Sequence, residues 1–278
     1  MNPPTSDVLR VPGASLYYEV RGSGPLLLMI GGGDGGAAGF NALADQLASH
    51  YTVVTYDRRG SFNSPLDDPV EEVRLETHSD DAHHLLAGLA ATDALAAEPA
   101  YVFGSSSGAL IGLDLAIRYP GQVGMLVAHE PPVEGLLPDF DCFQEDVLAT
   151  YQREGATAAL AKFMDSLSVN YADLEPGVVL PQRDTRRPGS GEAFFACTFQ
   201  PVHRYRLDLA ALAAAPARIV LAAGGAAPAS LGYRCTAALA ERLGKSLVEF
   251  PSHHAGYISH PQAFANRLRS VLDQESGI

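Results

Sequence analysis

Between residues 100 and 112 the chain passes from an apolar β-type run, Ala100-Tyr101-Val102-Phe103, through Gly104-Ser105-Ser106-Ser107-Gly108, into an amphipathic helix starting at Ala109-Leu110-Ile111-Gly112. Gly104, Ser106 and Gly108 fit G-x-S-x-G, the spacing in which a serine occupies a tight strand-to-helix turn that only small neighbours tolerate. The serine then points up out of the sheet. The free N–H groups of the following helix lie beside any oxyanion formed there, so one turn supplies both nucleophile and anion site. In a chain with 27 glycines the isolated string carries little weight, and its neighbours must decide.

Those neighbours repeat one pattern. Residues 26–30 are an uninterrupted apolar run, as in a strand buried on both faces, and end in Gly31-Gly32-Gly33-Asp34-Gly35-Gly36. A helix is predicted over about 38–50, a strand over 52–56 that runs into Asp57-Arg58-Arg59-Gly60, and a helix over about 72–94. After the serine turn and its helix, residues 123–128 read as another buried strand, ending in His129-Glu130-Pro131-Pro132. Later come a strand over 218–222, a helix over about 231–243, a strand over 247–250 and a last helix over 260–272. Residues 8–11 and 16–20 form a hairpin ahead of all this. The alternation predicts an α/β fold: a doubly wound, mostly parallel central sheet with helices on both faces.

The rhythm breaks over residues 133–205. Helix-like pieces lie around 141–154 and 157–168, a proline- and charge-rich loop spans 176–192, and no strand pattern appears. A helical lid over 133–205, inserted into a core made of 1–132 and 206–278, is the expected organisation. Six of the eleven phenylalanines, Phe140, Phe143, Phe163, Phe194, Phe195 and Phe199, fall in this quarter of the chain. Some form the lid's own core; the remainder would line an apolar pocket suited to a hydrophobic small molecule.

With 278 residues and 47% hydrophobic content, one large domain is affordable and a second is not expected. A formal charge of −13 argues against nucleic acid or an anionic membrane as partner. Cys142, Cys197 and Cys235 are odd in number and match no metal-ligand spacing, so free thiols, no metal and a reducing compartment are expected. The N-terminus has neither a basic start nor an apolar core, which predicts a cytoplasmic protein. Oligomeric state is left open, a homodimer included.

Ser106 becomes a nucleophile only if a histidine takes its proton, and that histidine needs an acceptor to orient it. Nine histidines compete. His83 and His84 lie on a charged helix, where solvent is the expected surrounding, and His50, His78 and His260 at element ends, where capping is the usual role. His129 and His203 flank the lid. His253 and His254 come in a loop after the last strand, from which a side chain reaches back over the sheet edge, and His254 is the better placed.

With these residues in place the chain resembles the α/β-hydrolase fold over essentially its whole length. The resemblance is carried by Gly31-Gly32-Gly33 after the first buried strand, Asp57-Arg58-Arg59-Gly60, the Gly104 to Gly108 turn, and Phe250-Pro251-Ser252-His253-His254-Ala255-Gly256-Tyr257 with Pro261 and Phe264 beyond. It implies His254 as the catalytic histidine, with His253 at a position usually glycine, and the N–H groups of Gly33 and Ser107 as oxyanion donors. The family's acid most often follows the strand at 219–222, yet Ala223-Gly224-Gly225-Ala226 offers no carboxylate. A subset of the family carries its acid one strand earlier, where this chain has Glu130. The order Ser106, Glu130, His254 keeps the family's nucleophile, acid, base sequence.

The implied activity is that of a cofactor-free serine hydrolase cleaving a carboxylic ester, thioester or lactone, with Gly32, His129, Phe140 and Phe195 lining the substrate pocket. Non-hydrolytic lyase, cyclase or oxygenase chemistry on the same fold, or a ligand-binding protein with a decayed site, are the alternatives.

Overall fold

In the computed structural model, residues 3–33, 35–68, 72–92, 99–133, 135–167, 169–180 and 190–275 are described. The chain opens with the hairpin β1 (Thr5–Val11) and β2 (Ala14–Arg21), followed by β3 (Leu26–Ile30). Helix α1 (Asn41–Leu47), preceded by a 3₁₀ turn at Ala37–Phe40, leads to β4 (Thr52–Tyr56), and α2 (Leu75–Thr92) to β5 (Ala100–Ser105). Then come α3 (Ser107–Arg118) and β6 (Val123–His129).

Helices α4 (Pro138–Glu154), α5 (Ala156–Ser166), α6 (Ser190–Phe194) and α7 (Gln200–Arg204) follow, with a π-helical stretch at Phe195–Phe199 between the last two. The core resumes with α8 (Leu209–Ala214), β7 (Arg218–Gly224), α9 (Leu231–Arg242) and β8 (Leu247–Phe250), and closes with α10 (Gly256–Ser259) and α11 (Pro261–Leu272).

Among the described residues the strands form one eight-stranded sheet in the order β1-β2-β4-β3-β5-β6-β7-β8. The hairpin pairs antiparallel, β1 to β2 and β2 to β4; every other pairing is parallel. Strand alternation sends Leu28, Ile30 and Val102 into one apolar layer, with α2, α3 and α9. Leu27, Met29 and Phe103 go into the other, against α1 and α11.

The helices between β6 and β7 carry a smaller core of their own, in which Val147, Ala159, Phe194, Phe195 and Phe199 pack together. Residues 181–189 of the proline-rich loop lie outside the described residues. Two local expectations change. His78 does not cap a helix end: it lies within α2, fully buried, its Nε2 2.7 Å from the Cys197 carbonyl. His83 is not simply solvated, because its ring stacks on Tyr119 at 3.9 Å. Among the described residues no disulfide involves Cys142, Cys197 or Cys235, and no described helix is long and apolar enough to cross a membrane.

Candidate active site

The turn between β5 and α3 puts Ser106 at φ 55° and ψ −125°, a conformation that side chains rarely adopt and that costs of the order of 1–3 kcal/mol. Packing enforces it. The Ser106 N–H donates to the His129 carbonyl of β6 at 2.8 Å, while its own carbonyl accepts from Ala109 N–H at 2.9 Å in the first turn of α3. Gly108 has no room for a Cβ, which would overlap the Ile30 carbonyl of β3, so the helix starts directly against the sheet. Strain is held here because strand pairing on one side and helix packing on the other leave the residue between them no choice.

Glu130, immediately after β6, also has positive φ, at 52°. Its N–H donates to the Ala222 carbonyl of β7 at 2.9 Å, and its carboxylate Oε1 accepts from the Gly224 N–H at 2.9 Å. The side chain is thus drawn across the end of β7, the place where the sequence offers no acid of its own. Oε2 meets His254 Nδ1 at 2.6 Å. Burial pushes the Glu130 carboxyl up, but the hydrogen bond and charge of His254, with help from the Gly224 N–H, outweigh it and hold the group at about 2. A glutamate so placed stays ionised, fixes the Nδ1–H tautomer and leaves His254 Nε2 as the proton acceptor.

Ser106, Ser107, Gly33, Glu130 and His254 all line one cavity of about 620 Å³, including its open mouth. Its walls are mostly Phe140, Phe143, Phe163, Phe194 and Phe199 with Leu167, Val202 and Leu231, so the candidate reactive groups sit at one place in a largely aromatic chamber. Gly33 adopts φ 55°, and its carbonyl accepts from the buried Arg58 guanidinium at 2.9 Å, which also donates to Thr198 Oγ1 at 3.0 Å. Arg58 therefore fixes the peptide of this loop from behind and does not face the cavity mouth. Asp34 lies outside the described residues.

Four residues were expected to line the substrate pocket, and Phe140 does. Gly32 backs the elbow, since a Cβ there would come within 2.7 Å of the Ser106 Cβ, but it is not in the cavity wall. His129 is no lining residue: it is fully buried behind the sheet among Phe103, Phe250 and Phe264, where burial lowers its pKa to about 4. Phe195 is likewise absent from the wall, fully buried and stacked on Tyr151 at 4.2 Å in the core of the inserted helices. The reason in both cases is which face of its element the side chain takes.

His253, one residue from His254, turns the other way. Its Nε2 donates to the Asn170 carbonyl at 2.7 Å, and its Nδ1 accepts from the Ala255 N–H at 3.2 Å. Sequence reasoning missed Gly232 and Gln144. The first contacts Glu130 through the space left by its missing side chain, and the second lines the cavity from α4. For Gln144 a signal existed: Phe140, Phe143, Gln144 and Val147 share one helical face. Among the described residues no cluster of histidine, cysteine or carboxylate side chains has the makings of a metal site.

A model of the alpha/beta hydrolase family matches residues 27–267. The chain belongs to that family. This hydrolase is 42% identical over 271 residues to the uncharacterized hydrolase YraK of Bacillus subtilis, covering 96% of each chain. It is 27% identical over 273 residues to a zearalenone hydrolase of Cladophialophora bantiana, covering 94% of this chain and 93% of that one. In fold it is similar to the enol-lactonase of Burkholderia xenovorans, with a TM-score of 0.70 at 19% identity over 96% of this chain and 99% of the other. A thermophilic esterase of Thermogutta terrifontis has the same TM-score at 17% identity, covering 98% and 99%.

Proposed function

We propose that this hydrolase cleaves a carboxylic ester, thioester or lactone of a hydrophobic small molecule through an acyl-enzyme on Ser106. One observation carries the reading: the 2.6 Å contact between Glu130 and His254 orients the imidazole in a cavity that Ser106 also lines. In the first half-reaction His254 Nε2 takes the Ser106 hydroxyl proton as Oγ attacks the substrate carbonyl. The N–H groups of Gly33 and Ser107 receive the oxyanion, and Glu130 balances the imidazolium.

Collapse breaks the bond to the alcohol, thiol or ring oxygen, which leaves with the proton from His254. Water then gives a proton to His254 and attacks the acyl carbon, and Ser106 departs with that proton, freeing a carboxylic acid. Residues 133–205 act as a lid whose phenylalanines bind the substrate's apolar body and exclude bulk water. A decayed binding protein is the weaker reading, because its support was the missing acid after β7, and Glu130 lies at that place.

The test is turnover of an activated aryl ester and labelling by a fluorophosphonate probe, alongside a panel of thioesters, lactones and zearalenone. Ser106→Ala is expected to abolish both turnover and labelling. Retention of full turnover in that variant overturns the proposal.

A further inference from the structure

Gln144 lines the cavity from α4 on a wall that is mostly aromatic and aliphatic, with Ser166 and Thr198 as the other polar side chains outside the Ser106, Ser107, Glu130 and His254 cluster, and it is only 3% exposed. Both ends of its amide, the Nε2 donor and the Oε1 acceptor, are buried and have no hydrogen-bond partner among the described residues. A buried amide left unmatched at both ends is costly, and native interiors rarely keep one without a reason. Its neighbours on the same helical face, Phe140, Phe143 and Val147, are apolar, so a leucine or methionine would serve packing equally well. Among the described residues the cavity wall carries no lysine or arginine. An anionic group on the substrate would be buried beside Glu130 with no such cation to meet it, and a cationic one, having no acceptor, would satisfy only the Oε1 end of the amide.

We infer that Gln144 is a specificity-determining residue that reads an uncharged group able both to donate and to accept a hydrogen bond, a carboxamide or a hydroxyl, on an otherwise hydrophobic substrate. This rests on the hydrolase reading of the same cavity. The amide has no partner among the described residues because its partner arrives with the substrate. A site built to hydrogen-bond a group rejects the analogue lacking it far more strongly than an apolar wall can select by size.

Matched p-nitrophenyl alkanoates ending in a carboxamide, a hydroxyl or a methyl group, in several chain lengths, test this, with a second series varied in the alcohol. Gln144→Met keeps the length of the side chain and removes both polar ends; Gln144→Leu is the second variant. At the chain length that reaches Gln144, the ratio of kcat/KM for the polar-ended over the methyl-ended ester is expected to fall by about tenfold in both variants, the size of one or two lost hydrogen bonds.

The same ratio is read as relative binding of the matched esters to Ser106→Ala protein, so a failure of hydrolysis leaves the specificity claim open to test. Fluorophosphonate labelling of Ser106 reports an intact site in each variant. An unchanged ratio at every length, in rate and in binding, overturns the inference. So does a fall in melting temperature of Gln144→Met with the ratio unmoved, which marks a purely structural amide.

Discussion

Glu130 and His254 stand 124 positions apart in the chain and are joined by a 2.6 Å hydrogen bond from ring Nδ1 to carboxylate Oε2. Neither is open to solvent, at 1% and 9% exposure. A carboxylate that deep survives ionised only with donors on both oxygens, and the Gly224 N–H on Oε1 completes the pair. The carboxylate and the ring hold each other in place.

Glu130→Gln is expected to lower kcat/KM for an aryl ester by about 10³ to 10⁴-fold. The Gly224 N–H would select the amide oxygen, turning the amide NH₂ toward His254 Nδ1. The ring would then carry its proton on Nε2, where it cannot accept one from Ser106. Steady-state kinetics decide the matter, and activity within a factor of three of the parent would remove Glu130 from the mechanism.

Gly232→Ala is the remote counterpart. A Cβ at Gly232, in the first turn of α9, would overlap Glu130 Oε2, so the carboxylate must shift. We expect kcat to fall by about 10 to 100-fold, because misplacement near 1 Å is enough to spoil proton transfer. The melting temperature should move much less than the rate. Equal loss of both would point to general unfolding instead.

Acid stability should be governed by buried imidazoles. Burial lowers His129 from 6.5 to about 4, and burial together with the Arg58 charge lowers His78 to about 3. Both are held neutral in the fold while the unfolded chain takes up protons, so stability is full above about pH 6.5 and drains away as pH falls toward 4 and then 3. Glu130, lowered from 4.5 to about 2, adds a second loss between those values, present above its unfolded pKa and gone below its folded one. Urea unfolding of His129→Leu should show a slope with pH reduced by about one proton between about pH 4 and about pH 6.5. An unaltered slope would mean that His129 is charged in the native protein.

Glu175 ties the inserted segment to the last helix. Its two carboxylate oxygens accept from Gln262 N–H and Ala263 N–H, both at 2.8 Å, in the first turn of α11, while its N–H donates to the Ser259 carbonyl at 2.9 Å. A carboxylate there acts as a cap supplied from elsewhere in the chain. Glu175→Ala is expected to cost about 1 kcal/mol in urea unfolding and to raise proteolytic cleavage in the segment after α5. No change in either measurement would show that the contact contributes nothing in solution.

Much of this molecule was legible in its residues. The runs at β4 and β8 were placed to the residue, and the serine turn and the loop histidine were found from their neighbours, because apolar periodicity and glycine spacing are local properties. Tertiary structure decided everything that depends on which way a side chain faces at the end of a strand or along an inserted helix. His129 and Glu130 are adjacent in sequence, yet one packs behind the sheet among phenylalanines and the other crosses β7 to reach an imidazole. Gln144 reads locally as an ordinary polar position on an amphipathic helix, and Phe195 as a pocket residue. Their fates were exchanged by how the helices between β6 and β7 settle on one another. Local sequence sets the period of an element, but the partner a side chain meets is fixed by packing between segments distant in the chain.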